Sequence, residues 1–431
     1  MNRQTPNAHR RTLLRALGAG VAASSLSGCA GFGGNRTAAK VVVVGGGYGG
    51  ATAAKYLKLW SEGAVDVTLV EANASFVSCP LSNLVLGGSR QIADITVSYD
   101  GLARRGVNIV HDTAASVDAQ KRVVRLARGG ELRYDRLILS PGIDFLYDQV
   151  RGLDNADAQS RVLHAWKAGP QTVALRRQIE AMPDGGVFAI SIPRAPLRCP
   201  PGPYERACQV AWYFKQANPR AKVLVLDGNE DVQTKKALFM RAWSNDYKGI
   251  VDYRPNCVLT DVDVRTLTAK FETADDVRAD VLNVIPPHRA GNIAAQAGVI
   301  TANDSWCEVD FLTFESIRVA NIHVLGDSIQ IAPQMPKSGH MANQHAKVAA
   351  AAILAALAGQ PVDPSPVLNN ACYSFITDRD AAHIASVHQY DRAQKTFLPV
   401  LGAGGLSAAA NAQEGDYAFA WARNIWNDAL T

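Results

Sequence analysis

Two stretches of the chain place residues suited to chemistry at positions where a nucleotide would lie. The first is "KVVVVGGGYGGATAAKYLK", Lys40 to Lys58. Its Gly45-x-Gly47-x-x-Gly50 spacing follows a β-branched run and opens a helical pattern. Those glycines give a tight turn, a close approach of backbone to a pyrophosphate and close helix–strand packing, and the helix N-terminus then faces the negative charge. A second apolar run, "VDVTLVEAN", ends in Glu71, about 20 residues past the last glycine, where an acid accepts ribose hydroxyls. An acid there disfavours a 2′-phosphate, which selects FAD or NAD over NADP. The second stretch is "RCPPGPYERACQV", Arg198 to Val210, between the strand-like "GGVFAISIP" and the helix-like "QVAWYFKQA". A strand–turn–helix usually cradles phosphate on glycines, but this turn has prolines at 193, 196, 200, 201 and 203, which have no N–H to offer. NAD(P)H is therefore not the expected electron source. The turn still sits where a nicotinamide would approach a flavin, so its side chains, Cys199 and Glu205 among them, form the candidate reductant site.

The elements needed to position these residues follow from the apolar patterning. "LRYDRLILSPGI" (Leu132 to Ile143) is a strand ending in a Pro-Gly turn, of the kind that returns a chain to a flavin domain. "ANIHVLGDSI" (Ala320 to Ile329) is a buried strand ending in Gly-Asp, where Asp327 is placed to hold a ribityl chain. "MPKSGHMANQHAKVAAAAILAAL" then supplies a long helix with Pro336 to Gly339 at its start, and Lys337 joins the cofactor-binding candidates. The N-terminal dipole of that helix favours negative charge on a reduced ring. These segments favour FAD over NAD. The organisation expected is an FAD-binding domain in two parts, residues 38–154 and 286–358. Residues 155–285 interrupt it as a central Rossmann-like domain without a phosphate loop, and residues 359–431 form a small C-terminal region.

The chain has 431 residues, enough for two or three domains and a large core. Four of its basic residues, Arg3, Arg10, Arg11 and Arg15, precede Cys29 with no acid among them, and without them the formal charge of +5 falls almost to neutrality. Electrostatics therefore give no case for nucleic-acid binding. The N-terminus has paired arginines in "HRRTLLRAL", a weakly apolar stretch from Leu13 to Leu26, and then "LSGC". Residues 1–28 read as a Tat-type export signal to the periplasm. "LSGC" resembles a lipobox in which Cys29 is lipidated; the other reading is an ordinary cleaved signal and a chance cysteine. No later run reaches the ~20 apolar residues of a membrane span, so that one lipid is the only membrane link expected. Seven cysteines in an exported chain permit disulfides. Cys208, Cys257 and Cys307 form no C-x-x-C pair and have no histidine at ligand spacing, so no metal site is expected.

Longer stretches carry a family resemblance: "VVVVGGGYGGATAAKY", "SCPLSNLVLGG", "RCPPGPYERACQVAWY", "NVIPPHRAGNIA", "WCEVDFLTFES", "MPKSGHMAN" and "NNACYSFI". From about Lys40 onward the chain resembles the flavoprotein subunit of flavocytochrome c sulfide dehydrogenase and its flavoprotein relatives from sulfur-oxidation operons. The resemblance implies an α/β fold of two Rossmann-like dinucleotide-binding domains on the glutathione-reductase-like plan, plus the small C-terminal region. It implies that Cys199 pairs with Cys372, in "NNACYSF", as a redox disulfide beside the flavin. Hydrosulfide is a soft nucleophile, and attack on such a bond leaves a persulfide on one cysteine and a thiolate on the other. A purely structural disulfide is the other reading of the pair. Glu205 matches a carboxylate close to that disulfide, fit to move protons if desolvated; otherwise it is an early helix acid favourable to the macrodipole. Cys79 matches the cysteine through which the family attaches FAD by a thioether, although Pro80 follows it here and Leu84 replaces a commoner acid. Its bland role is a free or structural thiol. Trp421 corresponds to a tryptophan near the flavin, or else fills a helix–domain groove. The implied substrate is sulfide and the implied partner a c-type cytochrome subunit. The rival readings are a sulfide:quinone oxidoreductase and an accessory flavoprotein of a thiol-dependent sulfur-oxidising complex.

Overall fold

The computed structural model describes residues 38–431; the export signal expected over residues 1–28 and the candidate lipidation site Cys29 lie outside the described residues. Strand β1 (Lys40–Val44) carries four consecutive buried valines, as a parallel strand covered on both faces requires. Helix α1 (Tyr48–Trp60) returns the chain to β2 (Asp66–Val70), which pairs parallel to β1 in register Val41↔Val67. After them come the short helix α2 (Ser82–Gly87) and strands β3 (Asn108–Val110), β4 (Arg136–Leu139) and β5 (Ile143–Phe145). The chain then builds a second sheet from β6 (Val187–Ile192), helix α3 (Gly202–Ala217), β7 (Lys222–Asp227), helix α4 (Lys236–Asn245), β8 (Val251–Arg254) and β9 (Val281–Val284). Its order is β8-β7-β6-β9, all parallel, the doubly wound pattern that strand–helix alternation specifies.

The return to the first sheet begins at β10 (His288–Ala290), antiparallel to β5. Strands β11 (Val309–Asp310), β12 (Glu315–Ser316) and β13 (Ile322–Val324) follow, and β13 pairs parallel to β4 with Ile322 opposite Leu137. The completed seven-stranded sheet runs β11-β12-β13-β4-β1-β2-β3, so segments on both sides of the second sheet build it. Helix α5 (Gly339–Ala358) starts on Ser338, whose Oγ accepts from the Met341 N–H at 3.0 Å, and stops at Gly359 with φ 67°. It packs on α1 through alanines: Ala346, Ala349 and Ala350 face a helix that buries Ala51, Ala53 and Ala54. Small side chains on both partners permit the close approach.

The last segment forms an antiparallel sheet of β14 (Val367–Phe375), β15 (Ala381–Asp391) and β16 (Thr396–Pro399), closed by helix α6 (Ala412–Leu430) against α1 and β15. Among the described residues, no helix is long and apolar enough to cross a membrane, and no group of His, Cys, Asp and Glu could hold a metal ion.

Candidate flavin and thiol site

The glycine loop between β1 and α1 shows why its residues are glycine. Gly45 has φ +97°, and a Cβ there would lie 2.3 Å from the Ser140 carbonyl oxygen. A Cβ on Gly50 would lie 1.8 Å from the Gly45 carbonyl oxygen, so Gly50 sets the helix-to-strand packing. Gly47 differs: a Cβ there would meet nothing within 4 Å, so the bare backbone faces open space where a phosphate group fits. Helix α1 has no side-chain cap, which leaves its first N–H groups available to an anion. Glu71, at the end of β2, accepts from the Gly46 N–H at 2.7 Å and from the Asn73 N–H at 2.8 Å, so its carboxylate is anchored at the loop.

One cleft joins this loop to residues from the turn after β6, the loop after β13, the start of α5, β14 and α6. Gly45, Gly47, Glu71, Cys79, Cys199, Glu205, Asp327, Cys372 and Trp421 all line it. Gly50 lies behind it as a packing residue. The donor set fits a flavin dinucleotide: an open glycine cradle and an uncapped helix for phosphates, and Asp327 for a hydroxylated chain. Asp327 is the sharpest sign, because its buried Oδ1 has no hydrogen-bond partner and burial raises its pKa against the pull of Arg198 and Lys337.

The turn after β6 has no amide cradle. The N–H of Ala195 donates to Asn229 Oδ1 at 2.9 Å, that of Arg198 to His288 Nδ1 at 3.2 Å, that of Cys199 to the Lys337 carbonyl at 2.9 Å and that of Gly202 to the Cys199 carbonyl at 2.9 Å. With these N–H groups committed inside the protein, the turn presents side chains to the cleft. Cys199 takes φ 54°, a left-handed conformation that few non-glycine residues adopt, and Gly202 leaves room for its sulfur: a Cβ there would lie 3.0 Å from Sγ. Burial pushes the Cys199 thiol up to about 12, helped by the negative charges of Cys372 and Glu205 and opposed by Arg198. Arg198 also reaches the first sheet's cysteine, its Nη1 lying 3.4 Å from Cys79 Sγ.

Glu205 sits in the first turn of α3 but is buried. Its Oε1 accepts from the Phe375 N–H at 2.8 Å and its Oε2 from Asn83 Nδ2 at 2.8 Å. Burial raises its pKa; the two hydrogen bonds, Lys235 and Arg206 pull the other way. The next residue, Arg206, is fully buried with carbonyl partners at Ala165 and His164 and amide partners at Asn83 and Asn283, so it ties α3 to its own domain and, through Asn83, to the first. Cys372 lies in mid-strand on β14 with its sulfur beside the Asn370 side chain. Cys79, Cys199 and Cys372 are thiols in this structure, as are the fully or nearly fully buried Cys208, Cys257 and Cys307, which stay out of the cleft.

One expected cofactor residue is placed elsewhere. The Lys337 ammonium donates to the carbonyls of Asp327 at 2.8 Å and Ile329 at 2.6 Å, and it lies 3.6 Å from the centroid of the Trp306 ring. Those neighbours satisfy it inside the protein, so it braces the loop after β13 and does not line the cleft. Trp421, on α6, does line it, with its Nε1–H 3.4 Å from His340 Nδ1 and its ring near Tyr373. Sequence reasoning passed over Tyr48, Asn83, Arg198, His340 and Tyr373, which also line the cleft. Arg198 alone carried a signal, as the residue before Cys199.

Comparisons with known proteins agree with this geometry. Residues 172–286 match the family described as the central part of the sulfide dehydrogenase [flavocytochrome c] flavoprotein chain, and residues 364–430 match the flavocytochrome c sulphide dehydrogenase flavin-binding family. Residues 39–169 match the pyridine nucleotide-disulphide oxidoreductase family. A sulfide dehydrogenase [flavocytochrome c] flavoprotein chain of Chlorobaculum thiosulfatiphilum is 56% identical over 46 residues, which is 11% of this chain and 94% of that relative. The mitochondrial sulfide:quinone oxidoreductase of Mus musculus is 24% identical over 300 residues, spanning 67% of this chain and 65% of that relative. The sulfide:quinone oxidoreductase of Aquifex aeolicus shares the fold, with a TM-score of 0.75 at 18% identity over 91% of this chain and 92% of that one. Putidaredoxin reductase in its covalent complex shares it with a TM-score of 0.63 at 17% identity over 83% of this chain and 84% of that one. The glycine loop, the proline-walled thiol turn and the matched central and flavin-binding segments lead to one assignment: the chain belongs to the flavocytochrome c sulfide dehydrogenase flavoprotein family.

Proposed function

We propose that the protein oxidises hydrosulfide through a Cys199–Cys372 disulfide lying against FAD and passes the electrons to a c-type cytochrome. One observation carries the reading: Cys199, Cys372 and Glu205 line a single cleft with the glycine loop, at a turn whose N–H groups are already committed elsewhere. A diffusible nicotinamide dinucleotide has no phosphate cradle there, whereas Cys199 and Cys372, thiols in this structure, would give a sulfur nucleophile an electrophilic partner once oxidised to the disulfide. Attack on the disulfide forms one S–S bond and breaks another, leaving a persulfide and a thiolate. Over the cycle the sulfur goes from the −2 to the zero-valent state, releasing one proton and two electrons. Glu205 is placed to take the proton. FAD, when bound, supplies acceptance of the electron pair and its release one electron at a time. Glu71 and the α1 N-terminus would hold its dinucleotide part, Asp327 its ribityl chain and Cys79 a covalent link. Export by the twin-arginine route, with or without a lipid on Cys29, would put the reaction in the periplasm.

The quinone reading draws support from the sulfide:quinone oxidoreductases among the relatives and is separated by the acceptor. Sulfide is expected to bleach the oxidised flavin band of the purified protein, and Cys199→Ser to abolish bleaching while keeping flavin bound. Reoxidation by a c-type cytochrome, with none by a soluble quinone, is the expected second half. Reoxidation by quinone alone would sink the cytochrome reading. Absence of bleaching in the wild type would point instead to an accessory flavoprotein whose disulfide exchanges with a protein thiol.

A further inference from the structure

Lys235 is a buried cation that the chemistry above does not use. It precedes α4 in a left-handed conformation, φ 54°, and is only 4% exposed. All three of its ammonium hydrogens have acceptors, and each is an uncharged oxygen: the Cys372 carbonyl at 2.8 Å, Ser374 Oγ at 2.9 Å and the Ala382 carbonyl at 3.0 Å. A buried cation without a hydrogen-bonded carboxylate is costly to a fold, and nearby negative charge offsets that cost. Burial pulls its pKa down to about 8, so it carries its charge at neutral pH, and the ionisable groups facing it, Cys372, Glu205, Cys199 and Glu414 in that order of influence, oppose that pull.

We propose that Lys235 is a positioning residue of the thiol pair: bonded to the backbone of Cys372, its ammonium makes Cys372 the departing thiolate and so directs hydrosulfide to Cys199. The inference rests on the sulfide-oxidising reading for its nucleophile. In the step it describes, the hydrosulfide sulfur forms a bond to Cys199 Sγ and the Cys199–Cys372 bond breaks. The bonding pair leaves on Cys372 Sγ; one negative charge enters and one remains. Exchange is faster through the sulfur that departs as the better anion. The two sulfurs differ in that respect. Burial raises both thiols, but Lys235 and the hydrogen bonds of Asn370 and Ser338 pull Cys372 back down, with Glu205 opposing. Cys199 has only Arg198 in its favour, against Cys372, Glu205 and Cys79. The cation is thus fixed by three hydrogen bonds to the strands on the Cys372 side.

The test is alkylation of the dithionite-reduced holoenzyme by iodoacetamide across neutral and alkaline pH, with peptide mass spectrometry reporting each cysteine. The wild type should label Cys372 ahead of Cys199. Lys235→Gln should move the Cys372 labelling midpoint up by about one pH unit, roughly tenfold less thiolate at a given pH below it, and Lys235→Arg should restore it. A merely structural lysine would lower the thermal midpoint and leave the labelling order and midpoint alone, which overturns the proposal. Cys199 labelling first in the wild type also overturns it, and that arm needs no variant to fold. Labelling involves no sulfide, so a shift without flavin bleaching would remove the substrate reading and leave the Lys235–Cys372 coupling standing. Bleaching without a shift would do the reverse.

Discussion

Glu205→Gln isolates the proton path from the sulfur path. In the wild type both carboxylate oxygens accept a hydrogen bond at 2.8 Å, one from the Phe375 N–H and one from Asn83 Nδ2. Glutamine keeps the shape but offers one oxygen and one NH₂, so one of those two donors then faces another donor. Leaving one buried partner unsatisfied costs about 1–3 kcal/mol, which sets the expected loss of stability. The sign of its pH dependence follows from the raised pKa. The folded protein holds the Glu205 proton more tightly than the unfolded chain does. This group's stabilising contribution is therefore complete below the ordinary glutamate range and is lost as pH rises through the raised folded value. Glutamine has no such titration, so the gap between wild type and variant should narrow across that window.

The rate carries the sharper test. Loss of a positioned general base costs on the order of 10²–10⁴ in the chemical step. The assay is stopped-flow bleaching of the flavin by sulfide as a function of pH. The wild-type rate should rise through an acid limb set above the usual carboxylate range. The variant should be slower by at least ~10² and lose that limb. Flavin content and thermal midpoint, measured on the same samples, separate slow chemistry from a damaged fold. A variant within a few-fold of wild type that keeps the acid limb would show that Glu205 only tethers the Phe375 and Asn83 ends, and the proton would need another acceptor.

Cys79→Ser should make the flavin extractable by acid denaturation, while the wild type retains it; extraction from both would rule out the covalent link. Gly47→Ala and Gly50→Ala should behave oppositely. An added methyl at position 47 meets nothing within 4 Å, so the flavin-free protein should melt within ~0.5 kcal/mol of wild type but bind flavin weakly. The methyl at position 50 would lie 1.8 Å from a backbone oxygen, so thermal stability itself should fall; equal melting of the two variants would refute the division of roles.

What could be read from the sequence was what backbone geometry forces. Gly45 and Gly50 are dictated by a positive φ and a carbonyl at contact distance, both local to a strand–turn–helix. Prolines 200, 201 and 203 announce a turn without donors, and the internal bonding of the remaining N–H groups agrees. Cys372 was different. Nothing near it in the chain marks a reactive thiol, and its approach to the Cys199 turn depends on how β14 packs beside α3, so only the family resemblance brought it forward. Lys235, in "QTKKALF", looks like any solvated helix start, because burial by β14 and β15 is a property of the tertiary packing. Lys337 failed for the same reason in reverse. A lysine at a helix start beside a cofactor invites an anion-binding reading, but two backbone carbonyls and an indole face claim its charge.

That displaced lysine explains how the strained turn is held. Cys199 in the left-handed region costs about 1 kcal/mol or more, and strain of that size persists only where neighbours fix both ends of the residue. The Cys199 N–H is bound to the Lys337 carbonyl and its own carbonyl accepts from Gly202. Lys337 is bound in turn, through its ammonium, to the carbonyl of Asp327, whose unpartnered carboxylate oxygen belongs to the cofactor side of the cleft. A continuous run of hydrogen bonds through Lys337 therefore links Asp327, proposed to hold the ribityl chain, to Cys199, proposed to receive sulfide. Although Cys199 is covalently part of the second sheet's domain, the first domain sets its position.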